Sequence, residues 1–218
     1  MTGKTTARSG YRPLRAFLGV VIAVGLLLLG GGAAVALGLG RDEAPGADSV
    51  DAGFSRDMSR HHLQAVEIAN LAFERTEDPE IRQMAFDISA TQTNQAGRMQ
   101  GWLSLWGNPP TGGDTMAWMA TDEHAGHDAA MGADGLMPGM ATEEELAELR
   151  DSSGAAFDAR FLQLLIRHHE GGLEMAEAAA DRAEEQAVRS LAGKIAETQA
   201  AETATMTKML MARGEEPL

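Results

Sequence analysis

The chain has 218 residues, no cysteine, 18 Lys+Arg against 32 Asp+Glu, and only 5% aromatics. Without thiols there is no disulfide framework, thiolate zinc site, cysteine nucleophile or lipidated cysteine anchor. A formal charge of -14 argues against nucleic acid as a partner, because phosphate binding is driven by Lys and Arg releasing counterions.

Residues 1–15 carry Lys4, Arg8, Arg12 and Arg15 and no acid, and residues 16–40 carry no charge at all. The uncharged stretch includes the run Val20-Val21-Ile22-Ala23-Val24-Gly25-Leu26-Leu27-Leu28-Leu29. A cleavable signal has an apolar core of about 7 to 15 residues, whereas a spanning helix needs about 20. The length favours a single-pass transmembrane anchor with its basic flank inside the cell. Ala34-Val35-Ala36 keeps open a cleaved signal and secretion. Either way the acidic remainder works outside the cytoplasm, periplasmic or extracellular. After a linker at 41–50, residues 51–213 have the length of one domain.

That domain repeats itself. An offset of 107 positions aligns residues 54–103 with 161–210 without a gap. The identities include Phe54 with Phe161, Arg60-His61-His62 with Arg167-His168-His169, Glu67 with Glu174, Ile88 with Ile195, Thr91-Gln92 with Thr198-Gln199, and Met99 with Met206. In the first copy Phe54, Met58, His61, Ala65, Ile68 and Ala72 keep to one helical face. Thr76-Glu77-Asp78-Pro79 turns the chain, and Ile81, Ala85, Ile88, Gln92, Gln95, Met99 and Trp102 form a second stripe. The second copy repeats the scheme. Two hairpins, 54–106 and 155–212, predict an all-α four-helix bundle with pseudo-twofold symmetry.

Between them, residues 107–153 form a crossing segment too rich in glycine for a continuous helix. Thr142-Glu143-Glu144-Glu145 matches a capping box and predicts a short helix to about Arg150. Met116, Met119, Met131, Met137 and Met140 share 25 residues with His124 and His127. The sequence offers no packing reason for these thioethers, and soft thioethers with imidazoles select Cu(I), and by the same argument Ag(I).

All six histidines fall in three pairs, and two of these pairs repeat on core-facing helix positions. His61, His62, His168 and His169 in a symmetric bundle can meet at a shared centre, and neutral imidazole is the commonest metal ligand. Met58 and Met175 lie on the same helices, with Met99 and Met206 on the facing ones. Gln92, Gln95, Gln199 and Glu202 stand where their stripes ought to be apolar. Such groups need polar partners inside, either in a register-fixing network or as outer support for metal-bound histidines.

The paired Arg-His-His motifs, the Ile-x-x-x-Gln-x-x-(Gln/Glu)-x-x-x-Met helices and the Leu136-Met137-Pro138-Gly139-Met140 turn together resemble the domain-of-unknown-function family 305. That resemblance covers about residues 50–212. It implies a ferritin-like four-helix fold in an exported or anchored bacterial protein, with copper binding and copper resistance among some members. The family's His-His motifs fall on His61, His62, His168 and His169, with Met58 completing a Met-x-x-His-His form. The second copy departs from it, carrying Leu165 where the first has Met58.

The leading expectation is a non-enzymatic extracytoplasmic protein that sequesters or hands on Cu(I) in copper homeostasis. It would use the bundle residues as one site and the crossing segment as another, and would exchange metal with a copper-handling envelope protein. A carboxylate-bridged di-iron or di-manganese oxidase is the enzymatic alternative, although no Glu-x-x-His occurs in the chain. A metal-free envelope interaction module is the third.

Overall fold

The computed structural model describes residues 12–36, 43–120, 131 and 135–218. It divides into two compact units, Met1–Ala44 and Pro45–Leu218. The described part of the first is one helix, α1 (Arg12–Ala36). Its segment Leu14–Ala33 has a mean hydropathy of 2.3 over 20 residues and is long and apolar enough to cross a membrane. Every large side chain from Leu26 to Leu29 stands exposed within its own unit.

The second unit holds α2 (Val50–Arg75), α3 (Pro79–Leu105), α4 (Glu143–Asp151), α5 (Gly154–Arg182) and α6 (Gln186–Ala212), with no strand among the described residues. Local chemistry sets the ends. Ser49 caps α2 by accepting from the Ala52 amide, and Asp78 accepts from the Glu80 and Ile81 amides directly before Pro79. α2 begins at Val50, four residues before the apolar stripe, because capping rather than periodicity decides where a helix starts. Thr142 and Glu145 close the capping box anticipated from sequence, each side chain bonded to the other's backbone amide. Thr142→Ala is expected to cost about 1 kcal/mol, read as a lower urea midpoint with an unchanged slope.

α2 packs on α3, α5 packs on α6, and the two hairpins meet along α2 and α5. The 107-residue repeat is the symmetry of this bundle. One apolar cluster holds Phe161, Leu165, Ile68, Ile81 and Met206; the other holds their repeat partners Phe54, Met58, Met175, Val188 and Met99. The pseudo-twofold thus exchanges the two clusters, and the histidine pairs lie between them in sequence on both α2 and α5. The symmetry of chemistry is incomplete. Leu165 and Ile68 at one end stand where Met58 and Met175 stand at the other, so one end of the core is mainly aliphatic and the other richer in thioethers.

The crossing segment was expected to be a Gly-rich capture loop outside any core. Its described parts instead pack down. Met116, Trp118 and Met137 are buried, and a short 3-10 turn spans Ala117–Met119. Glycines make the room. A Cβ at Gly53 would lie 2.6 Å from the Trp118 ring, and one at Gly171 would run into the Pro138 carbonyl.

Candidate metal centre

Four imidazoles form a polar layer across the bundle, and all four are fully buried. His61 from α2 and His168 from α5, equivalent in the repeat, lie ring against ring with centroids 3.9 Å apart and planes tilted by 39°. His62 and His169 turn toward their own hairpin partners. The Nε2 of His62 bonds to Gln95 Oε1 at 2.8 Å, and that of His169 bonds to Glu202 Oε2 at 2.9 Å. The His61 Nε2 reaches the Pro138 carbonyl at 2.9 Å, while the Gln92 amide approaches His169 at 3.4 Å. Gln199 bonds to none of the four; its amide lies against α5 at Gly172, where a Cβ would come within 2.8 Å of it.

The acceptors decide the tautomers. A carbonyl or carboxylate oxygen only accepts, so His61, His62 and His169 each donate through Nε2–H, which in the neutral His61 and His62 leaves a bare lone pair on Nδ1. Those three Nδ1 atoms, both ring nitrogens of His168, and amide atoms of Gln92 and Gln199 are buried without a hydrogen-bond partner. Each such atom costs about 1 to 3 kcal/mol. A metal-bound histidine characteristically gives its other ring N–H to a carboxylate or carbonyl, and three of these rings are held that way. The donor set therefore fits a metal. Charge points the same way. Burial, reinforced by neighbouring imidazoles, lowers His61 to about 4 and His62 to about 3, and holds His168 well below its usual value. Those rings are neutral near pH 7, the form that ligates.

The thioethers gather beside this layer. Met58, Met99 and Met175 from the bundle share one cluster with Met116 and Met137 from the crossing segment, and the half-buried Met119, Met131 and Met140 pack against it. Methionines that the sequence reading divided between bundle and crossing segment thus share one cluster. Met206 stands apart in the opposite, aliphatic cluster, because the pseudo-twofold that relates it to Met99 sends it there. His124 and His127 lie outside the described residues. Among the described residues, no three His, Asp or Glu side chains are disposed to hold one ion.

Three residues that the sequence reading did not place among the site residues shape the centre. Asp57 Oδ2 accepts from the Met116 amide at 2.8 Å and from the Trp118 indole at 3.0 Å, which pins the crossing segment to α2. It holds Met116 at φ 64°, a left-handed conformation costing about 1 to 2 kcal/mol for a residue with a Cβ. Pro138 supplies a backbone acceptor to His61, and Gly171 lets that turn touch α5. A glycine inside a long helix was the available clue, since it costs about 1 kcal/mol against alanine and so marks a close approach.

An all-helical duplicated bundle with a buried imidazole layer, flanked on one side by thioethers, is the class of protein that the fold and site define. The chain belongs to the DUF305 family: the model of that domain of unknown function matches residues 51–210. No curated protein matches it. Among solved structures, a DUF305 protein from Streptomyces coelicolor is similar at 40% identity and a TM-score of 0.71, covering 79% of this chain and 99% of that one. A DUF305 fragment from Deinococcus radiodurans follows at 32% identity and 0.60, covering 75% and 96%. CopM in its Cu(I)-bound form shares the fold at 23% identity and 0.55, covering 74% and 96%.

Proposed function

We propose that this chain is a non-enzymatic extracytoplasmic metal-binding protein that sequesters Cu(I) or hands it on, with Ag(I) accepted by the same donors. The observation that carries the reading is a layer of buried imidazoles with unpartnered nitrogens, set beside a thioether cluster. That donor pair is soft and selects monovalent copper over hard cations. CopM, similar in fold, is named in Cu(I)-, Cu(II)- and Ag-bound forms, which supports the same chemistry here. Glu202 is the one carboxylate bonded to the imidazole layer among the described residues, which favours a binder over a carboxylate-bridged oxidase.

The metal's ligands come from His61, His62, His168 and His169 with Met58, Met99, Met175, Met116 and Met137. Met119, Met131 and Met140, half-exposed, are the thioethers through which a copper-handling envelope protein exchanges the ion. The α1 helix acts as the membrane anchor, with the bundle outside the cytoplasm.

The test is a competitive Cu(I) titration of the full chain in detergent under reducing conditions, with tryptophan fluorescence as a second readout because Trp102, Trp106 and Trp118 border the thioether cluster. A tight site is expected. Met58→Leu with Met175→Leu should weaken it at least about tenfold, in the range reported for perturbed metal sites. Met206→Leu removes a thioether from the aliphatic cluster and should leave affinity unchanged. Replacing the four bundle histidines with alanine should abolish tight binding. Equal affinity in all variants, or affinity no better than a scrambled Met/His peptide, would sink the reading.

A further inference from the structure

A second feature lies away from the imidazoles. Between α2 and the loop after α3 there is a cleft of about 520 Å³, within the size range of small-molecule sites. Arg56, Asp57, Arg60 and Leu63 of α2 line it together with Gln100 of α3 and Thr111 of the loop. Two guanidiniums on one wall are notable in a chain of charge -14.

Arg56 is only 9% exposed, yet its bonds go to neutral backbone. Its Nε donates to the Pro109 carbonyl at 3.4 Å and its Nη2 to the Ala47 carbonyl at 3.2 Å. No carboxylate pairs with it among the described residues. The adjoining Asp57 is a counter-charge at longer range to both Arg56 and Arg60, and accepts its hydrogen bonds from Met116 and Trp118. Among the described residues no carboxylate grips the Arg56 fork directly, so its charge is only partly compensated. The remaining Nη1 faces the loop, where a Cβ at Gly113 would lie 3.1 Å away.

The duplication sharpens the point for Arg60. Its repeat partner Arg167 forms a two-pronged pair with Glu145, at 2.8 and 2.6 Å. In the second copy the chain itself supplies the carboxylate. In the first copy Arg60 has no ion pair among the described residues, and the cleft opens beside it. The symmetry of the repeat therefore leaves an open carboxylate position next to a fixed second guanidinium.

We propose that this cleft binds a small organic polycarboxylate, with Arg60 gripping one carboxylate as Arg167 grips Glu145. Arg56 holds a second carboxylate through Nη1, Gln100 and Thr111 supply neutral hydrogen bonds, and Leu63 covers the carbon skeleton. Guanidinium suits this role because its planar fork matches a carboxylate in two parallel bonds.

The test is calorimetric titration of metal-free full chain in detergent with citrate and succinate, in a buffer free of carboxylates, beside inorganic phosphate. Saturable one-to-one binding of a polycarboxylate is expected, at least about tenfold weaker in Arg60→Gln, as for loss of a charge-assisted pair. Arg167→Gln should leave it unchanged. Arg56→Gln should weaken it too, and helical circular dichroism separates that effect from unfolding. No saturable binding, binding indifferent to Arg60→Gln, or phosphate bound as tightly as citrate would each overturn the assignment.

Discussion

Lowering the pH from 7 to 4 is expected to cost this bundle several kcal/mol, with the loss centred on the imidazole layer. In the unfolded chain a histidine titrates near 6.5, whereas in the fold His61 is lowered to about 4 and His62 to about 3, with His168 also well below. Burial is the largest cause in all three. Above pH 6.5 both states are neutral there, and the fold bears no protonation penalty. Below it the unfolded state takes up protons that the native layer refuses, and each such histidine removes about 1.4 kcal/mol per pH unit.

For His61 alone that amounts to about 3 kcal/mol by pH 4, against a typical domain stability of about 5 to 15. The three sites repel one another, so their losses do not simply add, but they act in the same direction. Other groups leave this window largely to histidine. Glu145, held down to about 2 chiefly by Arg167, adds to the loss only at the acid end of it, where the unfolded chain's glutamate takes up a proton that the fold refuses. Asp57 is raised by burial and opposes the trend, since the fold gains relative stability as that carboxyl protonates. Urea melts at pH 7, 5.5 and 4.5 should show a falling midpoint with net proton uptake on unfolding. A flat midpoint across that range would mean that the layer is not buried and neutral. If Cu(I) occupies the layer, it competes with those protons, and loaded protein should hold its midpoint to lower pH.

The bundle was legible because duplication and periodicity are properties of sequence. Phe54 to Ala72 and Ile81 to Trp102 each mark a helix face, and the 107-residue offset repeats both. The inward placement of Gln95 and Glu202 was legible for the same reason. The position of Met116 and Met137 was not, because a loop has no period and its burial depends on distant chain making room. Here that room comes from Gly53 and Gly171, whose missing Cβ atoms have meaning only once Trp118 and Pro138 are seen against them. Met206 illustrates the opposite failure. Local periodicity set it beside Met99 in kind, and only the direction of the pseudo-twofold reveals that the two occupy opposite ends of the core.

Gly171→Ala should produce the largest effect of any single methyl added to this fold. A Cβ there meets the Pro138 carbonyl well inside contact distance and comes within 2.8 Å of the Gly139 amide nitrogen. Both are backbone, so no rotamer change relieves the clash. Gly139 too is pressed against α5. That residue sits at φ 75°, and a Cβ on it would in turn strike the Arg167 carbonyl. Alanine must therefore lift the turn off α5, breaking the His61 bond to Pro138 and pulling Met137 from the thioether cluster.

Overpacking of this kind costs about 1 to 3 kcal/mol, and the lost bond leaves a further buried imidazole nitrogen unpaired at about 1 to 3. The better helix propensity of alanine returns only about 1. Gly97→Ala and Gly193→Ala supply the contrast: both lie inside long helices, at positions where a Cβ would have nothing within 4 Å. These two should raise stability by about 0.5 to 1 kcal/mol, read as a higher urea midpoint, while Gly171→Ala lowers the midpoint and weakens Cu(I) binding. Equal stabilisation by all three would show that the turn does not rest on α5, and would remove Pro138 and Met137 from the centre.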